Sequence, residues 1–174
     1  MICSEAKQVV FARGRVPADV LFAGEAPGAS EDALGKPFVG PAGKLLDHII
    51  ERAFRNHASR TYCLTNLVGC IPFDENGVKT EEPDPDDILA CSGRLLEFVR
   101  IVQPKLIVCV GSLPEKWIIG TKGKRHILAE YECARIPITH PAAVLRMNIA
   151  AQGLAVQRCV VNISNALEDL PPSA

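Results

Sequence analysis

The chain has 174 residues, 48% apolar and 22% charged, a balance that excludes a disordered or fibrous polymer and suits one globular domain over residues 1–174. A formal charge of −1 supplies no global field for nucleic acid, so any such binding must come from a local basic face. There is no apolar run of about 18 residues, and the opening MICSEAKQVV has neither the basic patch nor the apolar block of a leader, so a soluble, intracellular (cytoplasmic) protein without membrane contact is expected.

Taken in chain order, the first predicted strand is DVLFA, residues 19–23. It runs straight into GEAPGASEDALGKPFVG, residues 24–40, dense in Gly, Pro and acid. That segment is not a phosphate loop, because neither GxxxxGK[ST] nor GxGxxG can be read in it. Gly24 and Gly28 permit close backbone approach, Pro27 stiffens the turn, and Glu25 is left at a strand end. A helix is predicted over residues 42–54, with apolar positions at Leu45, Leu46, Ile49, Ile50, Ala53 and Phe54. A second strand follows at residues 61–67 (TYCLTNL). The stretch DENGVKTEEPDPDD reads as a solvated loop of turn formers, and a second helix follows over residues 85–102. The third and fourth strands are LIVCV, residues 106–110, and RIPIT, residues 135–139, and a last helix lies within residues 150–170.

Short apolar strands alternating with helices argue for a parallel sheet covered on both faces. In such sheets the ligand crevice lies beyond the carboxyl ends of the strands. Four places qualify: residues 24–28, Asn66, Gly111-Ser112 and His140-Pro141. Seven cysteines, an odd number in an intracellular chain, leave buried thiols or metal ligation rather than a disulfide framework. Cys63, Cys109, Cys133 and Cys159 sit in apolar or helical runs and are expected to be buried small hydrophobes.

The order GEAPGxxEDxxGxPFVGxAG (residues 24–43), TNLVGC (65–70), Cys91 at a helix opening, QPKLIVCVG (103–111) and THPAAVLR (139–146) resembles the iron-sulfur uracil-DNA glycosylases usually called family four. The resemblance implies a three-layer αβα sandwich around a mainly parallel four-stranded sheet. It also implies an enzyme, acting as a monomer on uracil-containing DNA, that hydrolyses the N-glycosidic bond of a flipped uracil and leaves an abasic site. Gly24, Ala26, Pro27 and Gly28 would shape the substrate-binding turn. Phe38 would stack on the base, and Asn66 would read it by donating to O4 and accepting from N3–H, a pattern that uracil offers and cytosine does not. His140 would face O2, and Glu25 would hold the attacking water or favour the sugar cation. Glu31 would lie beside C5 and exclude thymine. Val144 or Leu145 would wedge into the vacated stack, with Arg146 on a phosphate.

Plainer roles stand beside these: an ordinary core position for Phe38, a structural place for His140, capping of a turn for Glu31 and Asp32, and helix packing for Leu145. An alternative function is a superfamily member that binds uracil or damaged DNA without turnover, or traps the sugar covalently. The basic, His-bearing insert of the trapping branch has no counterpart here, where the corresponding loop is acidic. The family's [4Fe-4S] cluster takes four Cys thiolates. Cys3, Cys70 and Cys91 match three of them, the first of the N-terminal pair has no match, and CIPFDEN stands where the family has CRPPxNR.

Overall fold

The computed structural model describes residues 6, 8–73, 82–120 and 126–172. Five strands form one sheet: β1 (Ala12–Gly14), β2 (Val20–Gly24), β3 (Tyr62–Asn66), β4 (Leu106–Val110) and β5 (Ala134–Ile138), in the order β1-β3-β2-β4-β5. β2, β3, β4 and β5 pair in parallel, whereas β1 runs antiparallel to β3 with Arg13 opposite Leu64. The four expected strands form the parallel part of the sheet, and β1 adds a fifth at its edge. β1 escapes a periodicity reading because it is three residues long and reads ARG, with no apolar alternation to detect.

Composition follows position in the sheet. β2 (VLFAG) and β4 (LIVCV) are central and wholly buried. β5, at an edge, carries Pro137 and Arg135 and is mostly half-exposed, as a strand with one unpaired side tolerates. Side chains alternate between the two faces. Val20 and Phe22 meet Leu46 and Ile49 of α2 (Pro41–Ala53), Val144 of α5 (Pro141–Leu145), and Val156 and Ile163 of α6 (Ile149–Glu168). Leu21 and Ala23 meet Ile88, Leu95 and Phe98 of α3 (Pro85–Val102) on the opposite face. Helices therefore cover both faces, giving three layers.

Two short helices complete the frame: α1 (Ala29–Leu34) after β2, and α4 (Ser112–Pro114) after β4, which continues as a π-helical turn over Glu115–Ile119. α3 begins with Pro85 at its first position and ends at Gln103 in the left-handed conformation, with Pro104 next. Among the described residues no helix is long and apolar enough to cross a membrane. Cys63, Cys109 and Cys159 are buried free thiols and Cys133 is a half-buried one. Burial pushes the first two up to about 12.

Candidate active site

The carboxyl ends of β2, β4 and β5 open into a crevice of about 510 Å³. Its walls include Glu25, Ala26, Pro27 and Gly28 after β2, Ser112 after β4, and His140 and Arg146 around α5. Residues more than a hundred positions apart meet here because parallel strands all end on the same side.

His140 precedes α5 and caps it: Nδ1 accepts a hydrogen bond from the Ala142 N–H at 3.1 Å. Gly111, with φ of 104°, leaves room for the ring, since a Cβ there would approach it to 3.1 Å. Burial first, and the Arg146 charge second, hold the imidazole below its ordinary pKa. A neutral ring that accepts at Nδ1 carries its proton on Nε2. The crevice therefore contains an uncharged N–H donor set on a rigid helix start.

Phe38 and Asn66 do not line this crevice but converge next to it. A Cβ on Gly24 would lie 2.3 Å from the Phe38 ring and 2.4 Å from Asn66 Oδ1, so only glycine lets ring and amide close over the end of β2. Asn66 is 3% exposed, and its backbone carbonyl accepts from Arg94 Nη2 at 2.7 Å. Phe38 is buried and adopts φ of 57°, the left-handed region that a bulky side chain disfavours.

Glu31 sits in α1 with both carboxylate oxygens occupied. Oε2 accepts from the Gly28 N–H at 3.1 Å, and Oε1 accepts from the N–H groups of Val39 and Gly40 at 2.9 and 2.8 Å. Capping describes this geometry, with an extension that the sequence did not suggest: the same carboxylate ties the turn after β2 to the loop bearing Phe38. Asp32 is buried beside Gln8, whose side-chain amide donates to the Asp32 carbonyl at 2.8 Å.

Residues 11–163 match the family model of the uracil DNA glycosylase superfamily. The chain belongs to the uracil-DNA glycosylase superfamily. It is similar to the type-4 uracil-DNA glycosylase of Sulfurisphaera tokodaii, at 34% identity over 162 residues, covering 82% of this chain and 71% of that protein. The type-4 uracil-DNA glycosylase of Archaeoglobus fulgidus is 32% identical over 145 residues, covering 76% of this chain and 69% of the other. A crystal structure of wild-type SMUG2 from Pedobacter heparinus superposes with a TM-score of 0.61 at 12% identity, over 88% of this chain and 77% of that one. The last likeness carries the fold alone.

In this uracil-DNA glycosylase fold the segment after the histidine splits the expected wedge pair. Val144 is fully buried in the core under α5, so it is not available to DNA, and its assignment is corrected. Leu145 is 42% exposed and Arg146 is exposed at the crevice rim. Gln152 Nε2 donates to the carbonyls of Leu145 and Met147 at 3.2 and 2.8 Å, bracing the turn that carries them. Met147 and Ile149, 37% and 89% exposed, follow them in the chain as further exposed apolar residues. Sequence reading passed over both, since no periodicity separates an exposed Met or Ile from a core one.

Of the three cysteines that match the family's cluster set, two, Cys70 and Cys91, are among the described residues. Cys70 is fully buried and disulfide-bonded, an outcome outside the expected choice of buried thiol or metal ligand. Cys91 is a half-buried free thiol on α3, beside the Arg94 guanidinium. Cys3 lies outside the described residues, and among the described residues no group of three or more His, Cys, Asp or Glu is placed to hold a metal. Pro72 and Glu82, which sequence reading assigned no role, also line the crevice. Glu82 belongs to the loop read as a solvated excursion, and one acid among the several in that loop gives no signal of what it will face.

Proposed function

We propose that this chain is a monofunctional uracil-DNA glycosylase: water displaces uracil from deoxyribose in uracil-containing DNA and leaves an abasic site. The observation that carries the reading is the hydrogen bond from the Ala142 N–H to His140 Nδ1 at the crevice, which leaves Nε2 to carry the ring's proton. As the bond from C1′ to N1 breaks, electrons pass into the ring and negative charge gathers on uracil O2 and N1, while the sugar becomes oxocarbenium-like. A fixed, neutral Nε2–H directed at O2 stabilises that charge most where it is greatest, in the transition state. Glu25, on the opposite wall, holds the water that adds to C1′ or favours the sugar cation.

Phe38 supplies the stacking face, and Asn66 pairs with O4 and N3–H. Glu31, fixed by three backbone N–H groups, forms a stiff wall beside C5, so the thymine methyl meets a group that cannot withdraw. Leu145 fills the gap left by the flipped base and Arg146 neutralises a phosphate. A net charge near zero makes such local contacts necessary. No step of this chemistry runs through Cys70 or Cys91.

Excision measured on matched U·G, U·A, T·G and single-stranded uracil substrates tests activity and methyl exclusion together. Release of uracil with T·G left intact is expected. Stoichiometric retention of uracil-DNA without free uracil contradicts the reading.

A further inference from the structure

We infer that Arg13 is a positioning residue for the base pocket: with Glu31 it clamps the backbone on both sides of Phe38 and thereby fixes the ring that stacks on the flipped base. This deepens the glycosylase reading and rests on it. Arg13 is the middle residue of the edge strand β1. Its side chain leaves the sheet for the PFVG loop, where Nε donates to the Pro37 carbonyl at 2.8 Å and Nη2 donates to the Phe38 carbonyl at 3.2 Å. Nη2 is also paired with Asp47 of α2 at 2.5 Å, which aims the guanidinium.

The two jaws grip different groups of the same short backbone. The peptide between residues 38 and 39 has its carbonyl held by Arg13 and its N–H held by Glu31. The peptide before it is held through the Pro37 carbonyl, and the peptide after it through the Gly40 N–H. Rotation about the Phe38 backbone requires one of the flanking peptide planes to turn, and both are anchored. That matters because φ of 57° is a conformation a bulky residue leaves when it is free to do so. Gly43 adds a backstop: a Cβ there would lie 1.9 Å from the Phe38 carbonyl oxygen. The outcome is a ring set over Gly24 beside Asn66.

The clamp is tested by Arg13→Ala and Arg13→Lys, alone and combined with Phe38→Ala, with melting temperatures recorded to show that each variant folds. Arg13→Ala is expected to lower single-turnover excision by on the order of 10²-fold, as misplacement of a positioning group does. Arg13→Lys, which keeps the charge but only one donor nitrogen, should recover part of this. In the Phe38→Ala background Arg13→Ala should have no further effect, since there is no ring left to place. A full, additive loss in that background overturns the proposal, because it would make Arg13 a general support.

A second readout does not depend on activity. With 4-fluorophenylalanine incorporated, the position-38 fluorine resonance, assigned by its loss in Phe38→Leu, should be single in the parent chain and split or broadened in Arg13→Ala. If the parent chain excises no uracil while this resonance responds as stated, the glycosylase reading fails and the clamp stands. If the parent excises uracil and Arg13→Ala leaves both rate and resonance unchanged, the clamp fails and the glycosylase reading stands.

Discussion

A histidine that accepts at Nδ1 from the start of its own helix has only Nε2 left for a substrate. His140→Ala is therefore expected to reduce single-turnover excision by about 10²–10³-fold, the usual cost of one donor facing a developing oxyanion, with DNA binding measured separately to show that it persists. Because the working form is neutral and burial and Arg146 both lower the pKa, protonation removes activity only below about pH 6.5, the ordinary histidine value. Arg146→Gln removes the second cause, so the acid limb of the rate should move to higher pH. Burial, the larger cause, remains, and the limb should stop short of the ordinary value. Rate against pH in both proteins measures this, and a limb that stays in place contradicts the assignment of His140 as the titrating group. This histidine could be singled out in the sequence because it follows a predicted strand and precedes Pro. Its tautomer was not legible, since it depends on one backbone N–H two residues away.

At the scale of elements, the loop bearing Phe38 shows how glycine can be indispensable in one helix and costly in another. Gly43 and Gly93 are both helical, and a helical Gly→Ala exchange alone gains about 1 kcal/mol. At Gly93 a Cβ meets nothing within 4 Å, so Gly93→Ala should stabilise the fold by about 0.5–1 kcal/mol. At Gly43 the Cβ would strike the Phe38 carbonyl at 1.9 Å, and relief means moving a backbone already in an unfavourable region, by about 1–2 kcal/mol. Overpacking costs of about 1–3 kcal/mol exceed the propensity gain, so Gly43→Ala should lower stability and excision together. Urea unfolding and a rate assay on both variants check the contrast. Motif and spacing were enough to identify this loop as a pocket wall. They could not reveal what holds it, because the anchor is an arginine from a three-residue strand that carries no periodic signal.

Over the whole molecule, four strands and the three long helices were readable because each buries a face and so imposes a period on its residues. β1 was not, and with it went the Arg13 contact. The convergence of residues 24–28, Ser112 and His140 was legible from one rule, that parallel strands deliver their carboxyl ends to one side. Burial of Val144 in place of exposure was not, since adjacent apolar residues in a five-residue helix differ only in the direction each points. The N-terminal half of the cluster site also lies beyond such reasoning, since Cys3, which matches it, is outside the described residues. The central claim is that the site at the strand ends excises uracil using His140 in the crevice and Asn66 next to it. The direct measurement is alkali-labile cleavage of a U·G oligonucleotide by the parent chain, set against the His140→Ala, Asn66→Ala double variant. Product accumulating far above the double-variant background is predicted, and equal product from the two proteins would contradict the account.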